Sequence, residues 1–280
     1  MTIKITSDST CDLSKELVEK YNIGIVPLYV VKDGVSLKDG LEITPEDIFA
    51  FTDSTGKLCT TAAVSQYDYT ETFKPLSEQY DAVIHITISA DFSSCYQNAC
   101  AAAEEFSNVY VVDSRNLSTG HGHIVVEAAQ LAEQDLAPEE ICARLNDLTG
   151  RVEASFLLDR LDYMVKGGRC SSAAALGANL LRLKPCIEVI DGKMRVVKKY
   201  RGPYNKCIHD YVTERLTNRD DLRGDRIFIT HAAAEPDTVE TARAAIAESH
   251  PFDEVYETHA GCTVTCHCGP HTLGVLFIRK

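Results

Sequence analysis

The sequence predicts an α/β protein of two domains, an N-terminal one on a parallel sheet and a C-terminal one on a mixed sheet. Three observations carry this. Apolar β-type runs alternate with helical periodicity through the first half, the pattern of strands joined by covering helices. In the second half two strand-like runs flank Asp191-Gly192, a hairpin signal foreign to a purely parallel sheet. With 280 residues, 45% of them hydrophobic and 25% charged, the chain can fill more than one ordinary core.

Residues 3–6 read as a strand, Asp12 as a helix N-cap, and Leu17, Val18 and Tyr21 recur behind it at helical spacing. Residues 23–31 read as a second strand broken by Pro27. Asp33-Gly34, Asp39-Gly40 and Pro45 mark a loop that leads into a short helix through Phe51. Residues 83–88 form a buried-type strand, and Ser94 with Gln97 matches the capping box of an alanine-rich helix to Phe106. A strand at 109–112 and a helix at 121–134 follow, and Pro138 opens another helix that ends near Gly150. There the pattern changes, which divides the chain into domains 1–150 and 151–280 with a ligand cleft between them.

Beyond the boundary, 154–158 reads as a strand, 161–166 as a short helix stopped by Gly167-Gly168, and 173–183 as a further helix. Residues 186–190 and 193–200 form the hairpin. A helix at 204–216, a strand at 227–231, a helix at 238–249 and strands near Val255 and at 272–279 complete the chain.

Charge excludes one class of partner. The formal net charge is −13, so a nucleic acid is repelled by the mean field. The first residues run straight into polar side chains, and no apolar run is long enough to span a bilayer, so a cytoplasmic protein without membrane insertion is expected. The eleven cysteines read as reduced, packed thiols. Cys262, Cys266 and Cys268 are dense enough to raise a metal-dependent sensor, but they crowd into seven residues without the second ligand knuckle of a structural zinc site. No metal and no cofactor are expected, since there is no phosphate-binding Gly-x-x-x-x-Gly-Lys loop and Gly120-His121-Gly122 lacks a third glycine at Val125.

Three polar segments stand out. Thr60-Thr61-Ala62-Ala63-Val64-Ser65 reads as a small, hydroxyl-rich loop that leaves room above Thr61 for a head group, or as a turn whose hydroxyls bind local backbone. Ser93 stands between a parallel-type strand and a helix, where its hydroxyl and the first helical amides face one anion, or where it caps the helix. His267 precedes the turn at Gly269-Pro270 and donates either to a carboxylate or to a loop carbonyl. An alternative class is a serine hydrolase or acyltransferase that uses Ser93, His267 and Asp8 or Asp113. The absence of a Gly-x-Ser-x-Gly elbow argues against it.

Taken jointly, Ser7-Asp8-Ser9-Thr10-Cys11-Asp12-Leu13, the Thr61 segment, Ile88-Ser89-Ala90-Asp91-Phe92-Ser93-Ser94-Cys95-Tyr96-Gln97, Val112-Asp113-Ser114, the segment from Leu161 through Gly167-Gly168-Arg169, Lys184-Pro185 and His267-Cys268-Gly269-Pro270 resemble the motifs of the DegV family of fatty-acid-binding proteins, in family order. The resemblance implies two α/β domains around one long-chain fatty acid such as palmitate. A hairpin and lid of the second domain cover the ligand, and Thr61, Ser93 and His267 hold its carboxylate. It also implies a carrier that is no enzyme by itself and presents the acid to a separate fatty-acid kinase for acyl-phosphate formation. Asp91-Phe92-Ser93-Ser94-Cys95 departs from the family's Gly-Leu-Ser-Gly-Thr, which puts Asp91 and Phe92 at the pocket entrance and bears on chain preference. Arg169 and the basic run Lys193, Arg195, Lys198, Lys199 and Arg201 form the positive region of an acidic chain. They read as a solvated face or, with Arg169 and Arg201 foremost, as a docking surface for an acidic patch on the kinase.

Overall fold

A computed structural model describes residues 1–175 and 183–280. The first half contains strands β1 (Ile3–Asp8), β2 (Gly24–Val26), β3 (Tyr29–Lys32), β4 (Val35–Lys38), β5 (Thr60–Ala62), β6 (Ala82–Thr87) and β7 (Val109–Asp113). Helices α1 (Lys15–Lys20), α2 (Pro45–Thr55), α3 (Gln66–Gln79), α4 (Cys95–Ala103), α5 (Ser118–Ala132) and α6 (Pro138–Thr149) connect and follow them. The order β2-β1-β6-β7 makes a four-stranded parallel sheet, while β4-β3-β5 forms a separate antiparallel one. β6 is buried along its whole length, as a strand covered on both faces must be.

The second half contains β8 (Val152–Leu157), α7 (Asp162–Gly167), α8 (Ser171–Ala174), β9 (Leu183–Ile190) and β10 (Lys193–Arg201). It continues with α9 (Tyr204–Leu216), β11 (Leu222–Ala232), α10 (Pro236–Ser249), β12 (Glu254–His259), α11 (Cys262–Cys268) and β13 (Thr272–Arg279). Its six strands follow the order β10-β9-β8-β13-β11-β12, antiparallel except for the β11–β12 pair. This is the mixed sheet the hairpin predicted. The turn at Asp191-Gly192 has φ of 51° and 79°, the left-handed pair that a two-residue hairpin loop requires.

Helix α5 joins the two sheets. Twelve of its fifteen residues are buried, as expected of a helix covered on all sides. His121 Nε2 lies 3.0 Å from Ser7 Oγ on β1 and 3.1 Å from the Ile86 carbonyl on β6, and His123 Nε2 lies 3.0 Å from the Leu276 carbonyl on β13. Gly120-His121-Gly122 belongs to this buried helix. A single apolar cluster runs from Leu28, Tyr69 and Phe92 to Phe156, Met164 and Leu276, so side chains of both halves share one core.

Several local expectations are corrected. Ser14, not Asp12, caps α1, accepting from Leu17 N at 3.4 Å; Asp12 sits at φ 49° and turns its carboxyl inward. The Ser94 side chain makes no capping bond, and Ser93 Oγ instead accepts from Cys95 N at 3.3 Å. Thr60–Ala62 is an edge strand rather than a loop, because Val30 and Val31 pair with Thr61 and Thr60. The helix expected at 173–183 is described only as α8, Ser171–Ala174; residues 176–182 lie outside the described residues, and Leu183 already belongs to β9. Two helices escaped the periodicity. α3 carries Pro75 and a polar average, and the cysteine-rich segment is α11, a helix too short for periodicity to register.

Candidate ligand-binding site

A cavity lies between the two halves of the chain, walled by residues of both. Thr61 from edge strand β5, Ser93 from the β6–α4 loop and His267 from α11 all line it. Leu28, Ile88, Phe92, Met164 and Met194 give the wall its apolar character. A second, smaller chamber shares Leu117, Phe156, Val264 and Cys268 with the first, so these side chains form the neck between them.

The polar group is neutral. Thr61 Oγ1 stands 2.8 Å from His267 Nε2. Burial, helped by the nearby Arg169 charge, pulls the imidazole down to about 4, so it is uncharged at neutral pH. Its Nδ1 is buried beside Gly167 and has no partner among the described residues. The tautomer with its proton on Nε2 keeps the buried N–H paired with Thr61 and leaves the threonine hydroxyl hydrogen free to point into the cavity. Ser93 Oγ donates to Cys95 Sγ at 3.1 Å, a weak acceptor that a better one displaces.

Behind Ser93 lies a buried polar group built on Asp8, which the sequence offered only as a relay carboxylate. Asp8, fully buried, accepts from Tyr69 Oη at 2.6 Å and from Ile88 N at 3.0 Å, and its Oδ1 is 3.3 Å from His85 Nε2. These bonds fix the end of β6 and the loop that carries Ser93. The hairpin tip closes on the same loop: Ser89 Oγ donates to the Gly192 carbonyl at 2.9 Å, and Lys193 Nζ stands 3.5 Å from Asp91. Phe92 lines the cavity as expected, whereas Asp91 faces the hairpin.

The hydrolase relay does not assemble. His267 Nε2 pairs with Thr61 rather than Ser93, Asp8 is bound as described, and Asp113 accepts from Ala90 N at 3.2 Å and Arg115 N at 2.8 Å. A nucleophile hydrogen-bonded to its base is therefore missing from this constellation. The metal reading meets a similar obstacle. Cys262, Cys266 and Cys268 are buried, burial raises all three thiols, and Cys262 Sγ donates to the Ile43 carbonyl at 3.1 Å. Among the described residues no three His, Cys, Asp or Glu side chains converge as ligands. Arg169 is exposed at the rim of the cavity, donating to the Gly167 carbonyl at 2.8 Å, while Arg201 is exposed at the end of edge strand β10 and does not line the cavity.

An α/β fold whose two halves enclose an apolar cavity with a neutral polar cluster has the form of an internal-cavity binding protein. The family model described as "Uncharacterised protein, DegV family" matches residues 2–280, and the chain belongs to the DegV family. It is 31% identical over 282 residues to a protein of Thermotoga maritima named fatty acid-binding protein, covering 98% of this chain and 96% of the relative. Its fold matches the structure of a DegV family protein from Thermus thermophilus described as fatty acid binding, with a TM-score of 0.91, 28% identity and full coverage of both chains. It also matches a DegV lipid binding protein from Thermotoga maritima, with a TM-score of 0.86, 30% identity and full coverage of both. Among the described residues no helix is long and apolar enough to cross a membrane.

Proposed function

We propose that this chain binds one long-chain fatty acid, such as palmitate, in the cytoplasm and presents its carboxylate to a separate fatty-acid kinase. The observation that carries the reading is the Thr61–His267 pair set, with Ser93, in the wall of an otherwise apolar cavity. Each buried methylene contributes about 0.8 kcal/mol, so a long tail in the two chambers supplies on the order of 10 kcal/mol before ordering costs. The tail then sets affinity and the head group sets register. Ser93 and Thr61 hydroxyls hold the carboxylate with His267 behind Thr61. A carboxylate held by neutral donors stays nucleophilic toward a phosphoryl donor.

The relatives named for fatty-acid binding support the ligand class. For the partner, Arg169 at the cavity rim supplies positive charge where an acidic partner meets the head-group end, and Arg201 at the far end of β10 extends that charge along the hairpin. The change of sheet between α6 and β8 supports a domain boundary near residue 150, with α11 reaching back onto the first half. The test is reconstitution. With ATP and a bacterial fatty-acid kinase, palmitate-loaded protein should yield acyl-phosphate, Ser93→Ala should lower the yield more than it lowers palmitate binding, and Arg169→Glu should weaken kinase binding. Unchanged turnover with Ser93→Ala removes the head-group role, and unchanged kinase binding with Arg169→Glu removes the docking role.

A further inference from the structure

Helix α11 ends in the head-group cluster, and two carboxylates from distant segments hold its beginning. Asp39, just beyond β4 and buried at 4% exposure, accepts from Cys262 N at 2.9 Å through Oδ1. Its Oδ2 accepts from Thr263 N at 3.2 Å and from Ser9 Oγ at 2.9 Å. Asp12 accepts the preceding amide, Gly261 N, at 2.9 Å and Ser118 Oγ at 2.6 Å. Three consecutive amides at the start of one helix are thus bound by the side-chain oxygens of two aspartates. Gly261 permits the approach, because a Cβ there would stand 2.9 Å from Asp12 Oδ1.

The same helix contributes Thr263, Val264, His267 and Cys268 to the cavity wall. It is seven residues long, roughly 10 Å at 1.5 Å per residue, so a shift at its first turn carries through to His267. Among the described residues the imidazole has one hydrogen bond, to Thr61, and its Nδ1 has none. The placement of the helix therefore decides where the ring sits.

We propose that Asp39 is a positioning residue for head-group binding, acting through the first turn of α11 to set His267 against Thr61. The inference rests on the fatty-acid reading of the cavity. The donors occupy both carboxylate oxygens, so in Asp39→Asn the amide NH₂ must face a donor in either orientation, while size and shape are kept.

The test is a double-mutant cycle in the full chain, using calorimetric affinities for hexadecanoic acid and its methyl ester, together with the ¹⁵N signals of His267 in ligand-free protein. Asp39→Asn should weaken acid binding about tenfold, leave ester binding nearly unchanged and shift the His267 signals. Asp39→Asn combined with His267→Ala should bind the acid no worse than His267→Ala alone. Equal losses for acid and ester, additive losses in the double variant, or unshifted His267 signals overturn the proposal. If Asp39→Asn does not fold, Ser9→Ala removes one of the three donors and should show the same pattern at smaller size. A wild-type protein that binds neither acid nor ester overturns the fatty-acid reading, and the His267 signals then decide separately whether Asp39 places the ring.

Discussion

The Thr61 hydroxyl and His267 Nε2 meet at 2.8 Å across 206 residues of sequence, joining an edge strand of the first half to a helix of the second. Neither residue is informative alone. With the ring proton on Nε2, the pair frees the Thr61 hydroxyl as a neutral donor to an apolar cavity.

Thr61→Val keeps the shape of the side chain and removes the hydroxyl. The buried His267 N–H loses its acceptor and the ligand loses a donor, at a cost of about 1–3 kcal/mol for an unsatisfied buried polar group. Titration with palmitate should show that loss, while methyl palmitate, whose ester lacks the charge, binds nearly as well as to wild type. Equal losses for the two ligands contradict a head-group role for Thr61.

Gly167 is shaped by His267. A Cβ at this position would stand 2.4 Å from His267 Nδ1, and no real contact is that close. Gly167→Ala should therefore lower the melting temperature and displace the ring. Combined with His267→Ala, which opens the space, it should cost much less, a non-additivity expected of two sites in direct contact. Additive melting-temperature losses argue against the contact.

The pH dependence of stability follows from buried groups. Burial holds His121 and His267 near 4 and, helped by Arg226, His123 near 3. Each contributes stability above its unfolded value of about 6.5 that is lost as pH falls toward 4. Asp12 works in the opposite sense. Burial pushes it up to about 8, so its contribution is present below its unfolded value and is lost as pH rises through 8; Asp113, also raised by burial, has the same sign. Three histidines outweigh these carboxyls on the acid side, so the ligand-free melting temperature should peak near neutrality and fall steeply toward pH 4.5. His267→Asn should make that acid limb shallower. A level profile from pH 7 to 4.5 contradicts the buried, neutral histidines.

Val264 lines both chambers and sits in the neck between them. Val264→Phe adds bulk there and should cost about 1–3 kcal/mol of overpacking or of lost tail burial. Hexadecanoate affinity should fall sharply while octanoate, which ends short of the neck, is held nearly as before. Equal losses for both acids remove the second chamber from the binding path.

Much of this was legible in the sequence. Periodicity located β6, α9 and β13, and Asp191-Gly192 located the hairpin, because each rests on local patterns of apolar spacing or turn chemistry. Thr61, Ser93 and His267, picked out far apart in the sequence, line one cavity, and Arg169 stands at its rim. Local signals failed where tertiary packing decided the outcome. α11 is too short for a period and is held by Asp39 and Asp12, whose partners lie more than 200 residues away. Thr60–Ala62 became a strand only because β3 pairs with it. Gly167-Gly168 read as a helix stop, which it is, yet Gly167 also makes room for His267, a contact that no spacing announces.

The most direct test is to denature the purified protein, extract it with organic solvent and identify what is released by mass spectrometry. A near-stoichiometric long-chain fatty acid, diminished in a Thr61→Val, Ser93→Ala double variant, is the predicted result. Protein that releases no lipid, and whose melting temperature added fatty acids do not raise, contradicts the fatty-acid reading of the cavity.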